Sequence, residues 1–253
     1  MKFNDIKPAE LVENELLVRF FGDVELENKW GRVTDAGARP HALTWLTLKY
    51  LLVNSNRDVD VEEIMSMSYE GKSVTVPEGA MRTRLQRTRG ILKPLGLSDT
   101  HGLILHNEGK IRINPDFTLI SDEKVFERLM GRIARTEIAD PEGLSLCGEA
   151  LELCRGVFMG YTREAAWLKA YQKHYKREFC RLGRETLERM RALDDDGLCA
   201  ILWRRGIAVV PEEEELHRAV ISYMVERGQD LELLRYVSQL AHKGAAWLED
   251  FEY

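Results

Sequence analysis

Residues 80–93 read AMRTRLQRTRGILK, with Arg or Lys at five of fourteen positions and no acid. The chain around this stretch is acidic: 36 Lys and Arg stand against 42 Asp and Glu, a net charge of −6. On a helix turning about 100° per residue, Met81, Leu85, Thr88 and Leu92 fall on one stripe, which predicts a helix packed on a core. The opposite face carries Thr83, Gln86, Arg87 and Gly90. Arg82, Arg89 and Lys93 border it on one side and Arg84 on the other. Arg and Gln read guanine and adenine edges bidentately, so Thr83, Gln86 and Arg87 are candidate base readers. Arg82, Arg84, Arg89 and Lys93 are candidate contacts to phosphates and backbone. Gly90, without a side chain, permits close backbone approach. A basic helix face taken alone is also what a solvated surface looks like, and its neighbours in the chain decide between the two.

Working outward, residues 16–35 alternate β-branched or aromatic with polar residues around Gly22 and ENKWG, which predicts two or three short strands. Residues 41–53, HALTWLTLKYLLV, space Leu43, Leu46, Tyr50 and Val53 as one helix face. Residues 61–69, VEEIMSMSY, predict a second helix with acids in its first turn. A loop, EGKSVTVPEG, brings Pro77 ahead of the basic helix. Beyond it, GLILHNEGKIRIN alternates on both sides of Glu108–Gly109, a hairpin pattern. The order small sheet, three helices, hairpin is that of a winged helix-turn-helix, a DNA-reading fold. It predicts a domain over 16–118 behind a flexible lead-in of residues 1–15, with Lys110 and Arg112 on one face of the wing.

From Ser121 onward the pattern is helical only. Ser121 and Asp122 are placed to cap DEKVFERLMGRIAR, Pro141 starts the next helix, and Pro211 opens PEEEELHRAVISYMVERG. Short helices joined by brief turns predict an all-α tetratricopeptide-like domain over 119–253, although no clean repeat is present. The fold class expected is therefore α+β, an N-terminal winged helix-turn-helix followed by an all-α domain. Trp167, Tyr171, Tyr175 and Phe179 recur every four residues, read as an aromatic core stripe rather than the wall of a ligand groove. Trp203-Arg204-Arg205 reads as a solvated helix end rather than a site for an anion or partner.

No apolar run is long enough for a membrane helix and the start has no secretory pattern, so a cytoplasmic location is expected. Cys147, Cys154, Cys180 and Cys199 match neither a zinc nor a redox spacing and read as buried thiols. No phosphate loop, dinucleotide fingerprint or nucleophile elbow occurs, so neither enzyme activity, cofactor nor metal is expected. Residues 1–120 carry 16 Lys and Arg against 17 Asp and Glu, leaving −5 of the total −6 to the remainder. The cations of the first half are thus concentrated in one helix, and the weak overall field predicts modest nonspecific affinity for DNA.

VRFFGDVEL, RPHALTWLTLKYLLVNSNRDVDVEEIM and AMRTRLQRTRGIL together resemble the N-terminal, OmpR-like winged helix of Streptomyces antibiotic regulatory protein (SARP) type activators. ALELCRGVFMG, AAWLKAYQKHYKREF and PEEEELHRAVISYMVERGQDLELLRYVSQL resemble their bacterial transcriptional activation domain. The resemblance spans residues 16–240. The chain departs from the family at Tyr69-Glu70, where a Trp-Pro pair is usual, at the wing, which lacks an aromatic, and at the tail GAAWLEDFEY. The resemblance implies a homodimer on direct repeats of double-stranded promoter DNA, with the helical domain engaging RNA polymerase. A helical sensor or adaptor whose degenerate winged helix binds protein or a small ligand is the competing expectation.

Overall fold

The structure is a computed structural model and describes residues 2–37, 42–68, 78–99, 102–160 and 165–243. Tyr69-Glu70, the loop with Pro77, Arg163 and the tail after Lys243 lie outside them. The chain divides into two compact units, each described by itself. The first holds residues 5–122 together with Met159–Tyr171, and the second holds Lys2–Asn4, Glu123–Phe158 and the chain from Gln172.

The first unit opens with β1 (Glu15–Arg19), β2 (Glu25–Asn28) and β3 (Gly31–Thr34). Leu16, Leu17 and Val18 are all fully buried, because β1 is central and covered on both faces. It pairs antiparallel with β2 and parallel with β7 (Thr118–Ser121), giving the order β3-β2-β1-β7. Ahead of the sheet, Pro8–Glu10 form a 3-10 turn and Leu11 is buried. Asp122 follows β7, and its buried carboxylate accepts the amides of Phe20 (2.8 Å) and Phe21 (3.2 Å), tying the end of β1 down. Met159 and Gly160 donate to the carbonyls of Phe20 (2.7 Å) and Gly22 (3.2 Å), so a late stretch of chain completes this unit.

Three helices follow the sheet: α1 (Ala42–Val53), α2 (Val61–Ser68) and α3 (Glu78–Ile91). α1 is buried nearly all round, from Thr44 to Lys49, and not along one stripe, because it packs against α2, α3 and the hairpin strand β6. Lys49, at 1% exposure, is charge-paired inside with Asp35, whose other oxygen accepts the Val24 amide at 2.7 Å. Burial raises the Asp35 carboxyl and lowers the Lys49 amine from their ordinary values, each against the pull of its partner. A two-residue strand β4 (Val59–Asp60), which the pattern does not announce, pairs with β6 just before α2. The hairpin is β5 (Ile104–Asn107) and β6 (Lys110–Ile113). Glu108 (φ 49°) and Gly109 (φ 76°) both sit in the left-handed region, the two-residue turn whose twist suits a hairpin.

The second unit is helical: α4 (Asp122–Ile133), α5 (Pro141–Leu153), α6 (Ala166–Leu193), α7 (Cys199–Val209), α8 (Glu214–Glu226) and α9 (Asp230–His242). The first residue of α4 and the first turns of α6, to Tyr171, count with the first unit. Asp140 caps α5 by accepting the Glu142 amide at 2.8 Å, with Pro141 at the first helical position. α8 starts at Glu214, three residues beyond Pro211, with Glu214 and Glu215 in its first turn. α7, α8 and α9 pack on one another in succession. Gly183 lets Leu216 reach α6, since a Cβ there would lie 2.7 Å from Leu216 Cδ1. All four cysteines are buried and free, and Cys154 lies just past the end of α5.

The aromatic series on α6 serves both units. Tyr175 and Phe179 are core residues; Tyr175 stacks on Phe158 at 4.5 Å and its hydroxyl lies 3.1 Å from Glu123 and Glu127 Oε1. Trp167 and Tyr171 are half-buried in the first unit, where Trp167 meets Tyr50 edge-on at 5.1 Å. Trp203 is not part of a solvated helix end: it is 2% exposed beside Tyr236, with the exposed Arg204 guanidinium over its ring. No helix of the described residues is long and apolar enough to cross a membrane.

Candidate nucleic-acid interface

α3 turns Met81, Leu85 and Thr88 inward, and all three are buried. Thr88 Oγ1 donates to the Arg84 carbonyl at 2.9 Å, which makes a polar side chain tolerable in the core. Spacing by turns of 3.6 residues then forces Arg82, Thr83, Gln86 and Arg87 outward, and each is exposed. Thr83 Oγ1 donates to the Gly79 carbonyl at 2.9 Å, so its hydroxyl keeps its acceptor lone pairs outward while its proton is engaged. Arg84 is half-buried at the edge of this face.

The α-helix stops at Ile91, earlier than the stripe through Lys93 implies. Lys93 precedes Pro94, whose ring disfavours helical backbone at the residue before it. Lys93–Leu95 form a 3-10 turn closed by Gly96 at φ 71°. Lys93 remains exposed, but on this turn and not on the helix border. The turn is gripped by the first sheet. Asn28 Nδ2 donates to the Leu95 carbonyl at 2.9 Å, while Asn28 Oδ1 accepts the amides of Trp30 and Gly31. A Cβ at Gly31 would lie 2.6 Å from the Pro94 carbonyl oxygen, so glycine is the residue that lets the two approach. None of this is written locally; Asn28 is 67 residues from its acceptor.

Arg89 has a different task from the other cations. Its guanidinium is half-buried and donates from Nε (3.2 Å) and Nη2 (3.0 Å) to the Ile104 carbonyl. Burial lowers its affinity for the proton against the pull of the Asp99 carboxylate, yet an arginine stays charged. On the hairpin, Lys110 and Arg112 both point outward from β6, whose Ile111 and Ile113 face the core. Arg112 is ion-paired with Asp58 at 3.4 Å.

A cleft of about 980 Å³ opens beside α3, lined among others by Asp60, Glu62, Glu63, Arg82, Arg89 and His106. Its carboxylates make that flank mixed in charge, whereas the outward face of α3 bears Gln86 and Arg87 without an acid between Met81 and Leu97. Glu63 is itself held by the Arg57 guanidinium and the Tyr50 hydroxyl, which depress its carboxyl and lock the start of α2 to α1. The sequence reading missed this clasp and the Asn28–Leu95 grip, because both join residues whose partners only folding reveals.

A sheet–three helices–hairpin unit followed by helices is an arrangement found among solved structures. The chain resembles Mycobacterium tuberculosis EmbR, solved in complex with a low affinity phosphopeptide, with a TM-score of 0.60 and 15% identity over 91% of this chain. It spans 60% of that structure's length. The likeness is one of fold, and supports the SARP-like architecture that the sequence leads one to expect. No protein-family model and no curated protein matches the sequence.

Proposed function

We propose that this chain is a transcriptional regulator of the SARP type that reads double-stranded promoter DNA through α3. In this reading the first unit is a winged helix-turn-helix, α3 enters the major groove, and the β5–β6 hairpin is the wing. Thr83, Gln86 and Arg87 meet base edges. Arg82, Arg84 and Lys93 meet phosphates, with Lys110 and Arg112 contributing from the wing. Arg89 serves mainly to hold helix and hairpin together. The observation that carries the reading is the division of α3: Met81, Leu85 and Thr88 are buried while Arg82, Thr83, Gln86 and Arg87 are all exposed together.

Two copies stand side by side on direct repeats, and the helical unit engages RNA polymerase, so the protein activates without catalysing a reaction or holding a cofactor. The test is selection of bound fragments from random DNA by the full chain, followed by titration of the selected site against rising salt. Selective, strongly salt-dependent binding supports the reading. Absence of binding at low salt assigns the chain to protein contacts instead, as a helical adaptor.

A further inference from the structure

α9 is apolar on two sides. Leu233, Tyr236 and Leu240 are buried in their own unit. Leu231 and Leu234, on another side of the helix, are 76% and 68% exposed. Large aliphatic side chains that open to water at this spacing form the seam of a helix pair: Leu231 and Leu234 take the first and fourth places of a heptad, and Ser238 and Ala241 repeat them with small residues. We infer that α9 docks in parallel on α9 of a second copy of this chain, across a two-fold axis along the seam.

The charges flanking the seam select that occupant and that orientation. Asp230 precedes Leu231 on one flank and Arg235 follows Leu234 on the other. In a parallel pair opposite flanks meet, so Asp230 of each copy faces Arg235 of the other. In an antiparallel pair like flanks meet, which sets Arg235 and His242 of one copy against the same basic flank of the other. Arg235 is 69% exposed and held by Glu232 at 2.7 Å within its own helix, an exposed pair that yields at little cost. The competing occupant is this chain's own residues 244–253, which carry Trp247, Leu248 and Phe251 but also Glu249, Asp250 and Glu252. Those acids would have to lie beside Asp230 and Glu232, so the second copy fits better.

Two leucines per copy make a small contact, in the class of weak and transient interfaces. Self-association therefore appears only as concentration rises, and is amplified when neighbouring DNA sites hold two copies together. The inference rests on the proposed DNA reading for that amplification alone; the pairing itself is measured without DNA.

The experiment is sedimentation velocity on the full chain over a wide concentration series, with thermal melts of each variant. The wild type should move from its monomer mass of 29.2 kDa toward the dimer as concentration rises. Leu231→Glu with Leu234→Glu should abolish that movement and leave the melting midpoint unchanged, since both side chains are exposed. Asp230→Arg alone and Arg235→Asp alone should each weaken association, and an equimolar mixture of the two should restore it. A wild type that stays monomeric at every concentration overturns the inference. So do glutamate variants that still dimerise or that melt early because the leucines are covered within their own chain, and a mixture that fails to recover. Each of these failures leaves DNA reading by α3, measured separately, intact.

Discussion

Arg89 on α3 grips the carbonyl oxygen of Ile104, the first residue of β5, with two guanidinium donors at 3.0 and 3.2 Å. The helix that faces outward is thereby fastened to the hairpin beside it. Arg89→Ala should cost about 1.5 kcal/mol of stability, the low end for a hydrogen bond from a charged group, because the site is half-exposed. It should leave the salt dependence of DNA binding near that of the wild type. Denaturant melts and a salt titration on the same sample check both; a reduced salt slope with unchanged stability would return Arg89 to the phosphate contacts.

Arg82, Arg84 and Lys93 should behave in the opposite way. Each alanine variant should weaken selected and random DNA alike and reduce the salt slope by about one unit, because each removes one phosphate contact. Stability should move little for the exposed Arg82 and Lys93. Fluorescence anisotropy across a salt series gives the slopes, and three unchanged slopes would reject the assignment.

Much of this face was legible in the sequence because a helix wheel is a local object. Met81, Leu85 and Thr88 define the buried stripe, and Thr83, Gln86 and Arg87 follow from it. The Glu108–Gly109 turn was equally legible, since few residues accept two successive positive φ angles. The end of α3 was misjudged by overlooking what Pro94 does to Lys93. The single stripe expected on α1 was misjudged because a helix surrounded by partners hides its amphipathic pattern. The pairing of β1 with β7 across about a hundred residues, and the return of Met159–Tyr171 to the first unit, leave no periodic trace at all. The second of these means that residues 16–118 alone lack partners for Phe20 and Gly22, so the full chain is the proper object for binding measurements.

In the helical unit, Gly143 and Arg189 form a matched pair. The fully buried guanidinium donates to the carbonyls of Ile133, Thr136 and Glu137 past the end of α4, and to Glu185. A Cβ on Gly143 would come within 1.9 Å of Arg189 Nη1. Gly143→Ala should therefore cost about 1–3 kcal/mol by overpacking. Arg189→Ala, which strands several carbonyls and Glu185, should cost about 3–5 kcal/mol. Equilibrium unfolding of both variants checks this, and additive losses in the double variant would contradict a shared contact.

His217 should make the same unit acid-sensitive. Its ring is fully buried; Nε2–H donates to the Val210 carbonyl at 2.8 Å, and Nδ1 is left to accept the Tyr236 hydroxyl. Burial lowers its proton affinity below the ordinary value of 6.5. The neutral ring is thus favoured in the folded state, so this stability is complete above about pH 6.5 and is lost as pH falls toward the depressed folded value. Melting midpoints of the wild type should drop over that range more steeply than those of His217→Gln; parallel curves would remove His217 as the cause.

The central claim is that α3 reads base sequence, and the most direct measurement compares affinity for a selected DNA site with affinity for its scrambled counterpart, in the wild type and in Gln86→Ala and Arg87→Ala. The wild type should prefer the selected site by about a thousandfold or more at physiological salt. Each variant should lose about 1–3 kcal/mol on the selected site, relaxing preference at one base position, with little change on the scrambled one. Equal losses on both duplexes, or a wild type that binds neither at low salt, would contradict the account.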